Sequence, residues 1–276
     1  MILASLFFSF MGALIKYAAK EMPIMEGVFF RSVLSLVLIV PWMAYRKISF
    51  FGKNGPVLFL RSLAGFIALC MSFYATAHLT LADASILNQT SVLFVALLSA
   101  LFLKEKVSTP LLIYIICALV GAVLILKISF SILNFPGLIG LASGFFAAVA
   151  YISIRELHKT DSFYTMVFGF SFLSGIGSIL FFPQFVRPDF HQAAALIGLG
   201  VTGTVAQLLM TYAYKHAPAS IVSPYAFATV IFSALWGAAF WGEIPDIWSF
   251  LGALLIIASG VGILKLKKAE EIANPL

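Results

Sequence analysis

The feature that most constrains this fold is an internal repeat at a constant offset of 138 residues. Residues 74–127 match residues 212–265 without a gap, and the same offset aligns residues 3–8 with residues 141–146. A repeat of this length indicates that one structural unit was duplicated, so we expect two similar halves. Pairs of identical residues in the two copies include Tyr74 and Tyr212, His78 and His216, Phe94 and Phe232, and Glu105 and Glu243.

The composition places both halves in a membrane. Of the 276 residues, 62% are hydrophobic and 10% are charged, whereas a typical soluble domain has about 25% charged residues. Apolar runs of about 20 residues recur, and each is long enough to cross a bilayer core as a helix. The sequence therefore predicts an all-α polytopic membrane protein.

We predict ten transmembrane helices arranged as two five-helix repeats. The first repeat covers residues 1–127, residues 128–134 form a linker, the second repeat covers residues 135–265, and residues 266–276 form a tail. The predicted spans are 2–19, 24–45, 56–77, 83–103, 110–127, 135–155, 163–182, 191–214, 220–241 and 247–265.

The distribution of Lys and Arg predicts that both termini are cytoplasmic, because cytoplasmic loops carry an excess of these residues. Topology then explains the net charge of +6, so no nucleic-acid partner is expected. We predict an integral protein of the bacterial inner (plasma) membrane. The eleven residues on the predicted cytoplasmic side are Arg46, Lys47, Lys53, Lys104, Lys106, Arg155, Lys159, Lys215, Lys265, Lys267 and Lys268.

Five spans per repeat is an odd number, so the second copy crosses the membrane in the opposite direction to the first. Inverted repeats are typical of secondary transporters, which bind substrate near the bilayer midplane between the halves. The pattern favours a carrier for a small molecule. A larger packed bundle, a passive channel and a scaffold protein remain alternatives. The sequence leaves the oligomeric state open, with a homodimer as one option.

Polar residues inside the spans are candidates for the wall of a substrate cavity, because such residues face the bundle interior or water. The fourth span carries Asn88, Gln89 and Ser91, and the matching part of the ninth span carries Pro224, Tyr225 and Thr229. Because Pro224 lacks an N–H, it could leave a backbone carbonyl free as a polar notch; a position in the first helical turn is the alternative.

Four further residues extend this list of candidate binding residues. Arg31 lies seven residues into the second span, and we expect it either to face a cavity or to reach the membrane surface, with Glu26 nearby as a partner. By contrast, Lys16 and Arg61 lie near span ends and should reach water. The other three candidates are Tyr74, Tyr151 and Gln207.

Acidic residues lie at or near span ends, which argues against a midplane proton carrier. We interpret Glu105 and Glu243 as structural or gating residues that accept hydrogen bonds from the start of the following helix. Neither a catalytic motif nor a metal or cofactor site is predicted, and Cys70 and Cys117 are expected to be packing residues.

The paired motifs resemble the two EamA domains of the drug/metabolite transporter superfamily. The first copy carries Tyr74-Ala75, Phe94 and Glu105, and the second carries Tyr212-Ala213 and Trp241-Gly242-Glu243. The resemblance implies ten helices and a central cavity lined mainly by the first, third, fourth, sixth, eighth and ninth spans. It also implies transport of metabolites such as amino acids, vitamins, nucleotide-like compounds or drugs.

The chain departs from this family at one place. Members often have a proline near position 92 in the first copy, whereas this chain has Val92 and no proline nearby. The sequence therefore gives no proline hinge for the fourth span.

Overall fold

A computed structural model describes residues 1–102, 109–126, 135–216 and 223–273, and all regular secondary structure in these ranges is helical. The predicted linker 128–134 and Glu105 lie outside them. The α-helices are α1 Ile2–Ala18, α2 Ile24–Tyr45, α3 Gly55–His78, α4 Leu81–Gln89, α5 Ser91–Phe102, α6 Thr109–Leu126, α7 Phe135–Leu157, α8 Phe163–Ile179, α9 Phe190–His216, α10 Ala228–Trp241 and α11 Ile247–Ala273, with 3₁₀ turns at Phe182–Gln184 and Ser223–Phe227.

Local signals explain several of the helix ends. Asn54 precedes α3, and its side chain accepts a hydrogen bond from the N–H of Val57 at 3.5 Å. Thr80 caps α4 in the same way through the N–H of Asp83. At its C-terminus, α10 is capped by Gly242, whose φ of 67° is readily adopted by glycine. These caps satisfy backbone groups that a helix end would otherwise leave unpaired.

The fourth and ninth spans are both interrupted at repeat-equivalent positions. The fourth span breaks at Thr90, between α4 and α5. Adding the repeat offset of 138 gives Ala228, where the 3₁₀ turn ends and α10 begins. The fourth span thus contains a break without a proline, which the sequence did not predict. The tight packing of Gly144 against this break is described below.

Helix packing follows the duplication. Helix α1 packs on α9 and α10, and α7, its counterpart in the second copy, packs on α3 and α5. Helices α2 and α8 are counterparts and pack on each other, as do α6 and α11. Exchanging the two copies therefore maps the main packing pairs onto one another, and the two inverted five-helix repeats form one bundle.

Two apolar clusters form the largest parts of the described core. One includes Met11, Phe73 and Phe170, where α1, α3 and α8 meet. The other includes Leu87 and Ile256, from α4 and α11.

The outer surface suits a lipid environment. Five described helices are long and apolar enough to cross a membrane, and four shorter apolar helices accompany them. Large apolar side chains point outward, for example Val37 at 60% exposure and Ile231 at 62%. The last helix continues to Ala273, beyond the predicted end of the tenth span at 265.

Candidate functional site at the crossing of the interrupted spans

The two interrupted spans touch each other through polar groups. Ser85 of α4 donates a hydrogen bond from Oγ to Oγ of Ser233 on α10 at 2.7 Å. One turn further along, Nε2 of Gln89 donates to the carbonyl of Ala226 in the 3₁₀ turn at 2.7 Å. We call these four residues the crossing. The 3₁₀ turn is tighter than an α-helix, and it presents this carbonyl to the amide of Gln89.

Helix α7 closes one side of the crossing. Nδ2 of Asn88 donates to Oγ of Ser143 on α7 at 3.0 Å. A Cβ added to Gly144 would lie 2.5 Å from Oγ1 of Thr90 and 3.0 Å from the carbonyl oxygen of Leu87. The absence of a side chain at Gly144 therefore lets α7 lie directly against the break, where Ser91 is also buried.

Helix α1 closes the opposite side. Oγ of Ser5 donates to the carbonyl of Tyr225 at 3.1 Å, and Nε1 of Trp236 donates to Oγ of Ser9 at 3.1 Å. The side chain of Tyr225 is 51% exposed and points away from this contact layer. Thr229 is half-buried at the start of α10. The crossing is thus enclosed by one helix from each repeat.

An ion pair ties the two repeats together beyond the crossing. Nζ of Lys16 on α1 pairs with Oε1 of Glu243 and donates to the carbonyl of Leu79 at 2.5 Å. Oε2 of Glu243 accepts from the N–H of Leu81 at 3.0 Å. We call Lys16, Leu79, Leu81 and Glu243 the latch. It joins the end of α1, the start of α4 and the end of α10.

The latch corrects two sequence interpretations. Glu243 does not accept its hydrogen bond from the following helix, where Asp246 accepts from the N–H of Ser249 instead; it bonds to the first residue of α4, in the other repeat. Lys16 does not extend to water, because its side chain is only 10% exposed and its ammonium group is held by Glu243.

Two arginines are buried together near the centre of the bundle. Arg31 on α2 and Arg61 on α3 are each 3% exposed. Their Cζ atoms lie 4.8 Å and 4.6 Å from the ring centroid of Phe170 on α8. We call these three residues the arginine cluster. Tyr151 is half-buried on α7 and packs against a separate apolar cluster.

The arginine cluster also differs from expectation. Arg61 is buried rather than reaching water. Glu26 is not the partner of Arg31, because its Oε2 accepts from the N–H of Val186 at 3.1 Å. Phe170 carries no signal of this role in its local sequence. One signal could have pointed to Arg61: Gly65, one turn later on α3, repeats as Gly203 on α9.

The remaining candidates are spread over the bundle. Tyr74 stacks on His78 with a centroid separation of 4.2 Å, at the end of α3. Gln207 is buried in α9 at 6% exposure. Pro224 belongs to the 3₁₀ turn before α10. The structure therefore brings Gln89 into the crossing, Asn88 against α7 beside it and Arg31 into the arginine cluster, whereas Tyr74 lies at a helix end.

A surface groove lies elsewhere. It has a volume of about 710 Å³, and it is formed at the α7–α8 connection by Ile48, Arg155, His158, Asp161, Ser162, Phe163 and Tyr164. No group of three or more His, Cys, Asp or Glu side chains suited to a metal ion occurs among the described residues.

Comparison with known proteins gives consistent matches over nearly the whole chain. The model of the EamA-like transporter family matches residues 1–127 and 135–265. A pseudopaline exporter of Pseudomonas aeruginosa is 36% identical over 97% of this chain and 95% of its own length. A riboflavin transporter of Vibrio cholerae is 26% identical over 94% of this chain and 89% of its own length. One solved crystal structure superposes with a TM-score of 0.68 at 17% identity, covering 98% of this chain and 97% of its own.

Proposed function

Because the chain belongs to the EamA-like transporter family, we propose that it is a carrier that moves a small organic metabolite across a membrane by alternating access. The observation that supports this mechanism best is that exchanging the two repeats maps the main pairs of packed helices onto one another. A bundle whose halves are interchangeable can adopt a second state in which the halves swap their relative tilt. Such a state would open the opposite side of the same central site.

In such a transport cycle, the crossing suits the change in tilt and the latch suits a gate. Both interrupted spans have their breaks next to the crossing, so a small change in backbone angles there would tilt the distal half of each span. The latch lies toward one end of the bundle and joins α1 to α4 and α10. Opening that end would require Lys16 and Glu243 to separate, so we assign the latch as the gate of that side.

We propose that the protein lies in a bacterial inner membrane with both termini in the cytoplasm. The excess of Lys and Arg in the loops on one side supports this orientation, and it places the latch at the outer end. The named relatives handle chemically different cargoes, pseudopaline in one case and riboflavin in another. These relatives support a small organic cargo for this chain, but neither of their compounds is proposed as its substrate.

Transport into proteoliposomes tests the carrier mechanism. A panel of radiolabelled metabolites would be presented to vesicles that contain either buffer or the same compound unlabelled. We expect saturable uptake that is several-fold faster when the compound is already inside. Protein-free vesicles and vesicles with the Lys16→Met, Glu243→Gln double variant are the controls for leak and for gating.

Flux that rises linearly with concentration and ignores the internal compound would contradict the carrier and support a passive channel. Failure of every compound on a broad panel, with the protein correctly folded and inserted, would favour a scaffold. Both outcomes leave the family and the fold unchanged.

A further inference from the structure

The arginine cluster contains two cations with too few partners. Among the residues that the structure describes, Nε and Nη1 of both Arg31 and Arg61 are buried without a hydrogen-bond partner. Neither guanidinium forms an ion pair with a described carboxylate, and Glu26, the acid closest in sequence to Arg31, is engaged by Val186. Four donors are therefore unpaired in the interior of the bundle.

The two guanidinium groups also lie close to each other. Both contact the same ring, so their Cζ atoms are separated by no more than the sum of 4.8 Å and 4.6 Å. The face of Phe170 attracts cations, but one aromatic ring offsets only part of the cost of burying two like charges. A buried charge is normally retained only where it is paired or has a function.

The depth of the cluster suits a substrate site. A Cβ at Gly65 would lie 2.6 Å from Nη1 of Arg61, and a Cβ at Gly203 would lie 3.2 Å from Nε of Arg31. Gly65 and Gly203 are repeat-equivalent, and each lies near the middle of its predicted span. Both guanidinium groups are therefore near the membrane midplane, where inverted-repeat transporters hold their cargo.

We propose that the arginine cluster binds the carboxylate of an organic anion and that the cargo of this carrier is accordingly a small organic acid. The inference rests on the proposed transport function and names the chemical class of its substrate. Guanidinium groups bind carboxylates through paired, charge-assisted hydrogen bonds. The four unpaired donors can take one bridging carboxylate or the two ends of a dicarboxylate, which would also remove the repulsion between the arginines.

The site is closed in this structure, since both arginines are 3% exposed. Helix α2 carries Arg31 and α3 carries Arg61, whereas the ring between them belongs to α8, in the other repeat. A change in tilt between the repeats would separate Phe170 from the arginines and admit the anion. Binding and the alternating motion would thus act on the same contacts.

Binding to purified protein in detergent tests this inference separately from transport. The probes are matched pairs of a carboxylate and its neutral carboxamide, with glutarate and glutaramide as the first pair and benzoate and benzamide as the second. Ionic strength is held constant with sodium chloride. We expect at least one carboxylate to raise the melting temperature and its carboxamide to leave it unchanged.

Variants identify the site. Arg31→Gln and Arg61→Gln should each weaken carboxylate binding at least about tenfold, which is the loss expected from one charge-assisted pair. Without ligand, both variants should melt at or above the temperature of the parent, because they remove a buried charge. The matched control is Arg46→Gln: Arg46 also lies over an aromatic ring, at 5.0 Å from Trp42, but is exposed. It should bind like the parent.

The inference would be overturned if no carboxylate bound better than its carboxamide, or if Arg46→Gln weakened carboxylate binding as much as the two cluster variants. It would also be overturned if the two cluster variants melted at lower temperatures than the parent without ligand and the parent responded to no probe. A lipid phosphate could supply the same oxyanion, so the titration is repeated in nanodiscs with and without phosphatidylglycerol. Competition by this lipid would assign the cluster to a lipid. Trans-stimulated transport of neutral compounds alone would overturn the organic-acid cargo and leave the carrier intact.

Discussion

At the scale of single residues, Gly144 sets how closely the two repeats approach. Its missing side chain lets α7 contact both Thr90 and the backbone of Leu87. A hydroxyl can rotate away from an added methyl group, but the carbonyl of Leu87 at 3.0 Å is backbone and can move only with α4. Close packing in interiors makes such displacements costly.

Gly144→Ala should therefore lower the free energy of unfolding by about 1–3 kcal/mol, the usual cost of overpacking. The measurement is thermal unfolding of the purified protein in detergent. Gly175→Ala is the matched control, because a Cβ there would meet Cβ of Ser32 at an ordinary 3.7 Å. Equal melting temperatures for the two variants would contradict the close contact at the break.

The latch makes a second prediction at the residue scale. Lys16 and Glu243 have side-chain exposures of 10% and 18%, so their attraction is weakly screened by water. A double-mutant cycle with Lys16→Met and Glu243→Gln should give a coupling energy of about 1–3 kcal/mol.

The exposed pair Lys159 and Glu156 serves as the reference for the latch. These side chains are 67% and 54% exposed at a separation of 2.7 Å. The same cycle should give at most about 0.5 kcal/mol there, as for other solvent-exposed helix pairs. A latch coupling no larger than this value would show that the latch does not hold the two repeats together.

At this scale the sequence draws attention to residues whose type is unusual for their surroundings. Arg31, Asn88 and Gln89 are conspicuous in apolar spans, and all three make contacts in the interior. Phe170 is one of 28 phenylalanines, so nothing in its local sequence marks it. Its role depends on Arg31 and Arg61, which come from two other helices and meet only in the folded bundle.

At the scale of elements, the break at Thr90 is built from backbone hydrogen bonds. The N–H of Thr90 donates to Leu87 at 3.2 Å, while its carbonyl accepts from Leu93 and Phe94. Among the described backbone contacts that cross this break, the N–H of Val92 has no acceptor. A residue without a bonded N–H can be replaced by proline without losing a hydrogen bond.

Val92→Pro should therefore cost less than about 1 kcal/mol, whereas Leu97→Pro in the interior of α5 should cost about 3 kcal/mol or more. Unfolding monitored by circular dichroism in detergent would compare the two variants with the parent. If Val92→Pro lowered the free energy of unfolding as much as Leu97→Pro, the fourth span would be a continuous helix through position 92 and the break at Thr90 would be contradicted.

The sequence predicted the elements better than their interruptions. Apolar runs and the prolines between them were enough to place most helices within a few residues, although the last helix continues to Ala273 and α10 begins only at Ala228. The break in the fourth span carries no proline or glycine of its own, so the local sequence gives no sign of it. Its cause is tertiary, since Gly144 of α7 packs directly against it.

At the scale of the whole molecule, the duplicated halves predict a definite topology. An even number of spans places both ends of the chain on one side, and the excess of Lys and Arg assigns that side to the cytoplasm. Green fluorescent protein fused to either terminus should fluoresce, and alkaline phosphatase fused to either terminus should be inactive.

A control fusion is needed because an inactive reporter can also be unfolded. Alkaline phosphatase inserted after Arg187, in the connection between α8 and α9, should be active. Active phosphatase at both termini would reverse the assignment and move the latch to the cytoplasmic side. Different results at the two termini would contradict the even number of spans.

The repeat also explains why the whole-molecule architecture followed from sequence while the site did not. An offset of 138 residues and an odd number of spans per copy define an inverted arrangement without any coordinates. The arginine cluster breaks this regularity, because the positions equivalent to Arg31 and Arg61 are Gly169 and Leu199. A repeat predicts the features that both copies share, whereas the arginine cluster depends on arginines that only the first copy carries.

The latch has the same kind of asymmetry. The residue equivalent to Glu243 is Glu105, but the residue equivalent to Lys16 is Ile154, so exchanging the two copies would place an isoleucine rather than a lysine opposite the glutamate. Two identical copies would make the outward-closed and inward-closed conformations equivalent by a twofold rotation and equal in free energy. A lysine in one copy and an isoleucine in the other remove that degeneracy, and we expect the empty protein to rest with its latched end shut. One unmatched lysine is therefore enough to bias the side to which the empty carrier opens.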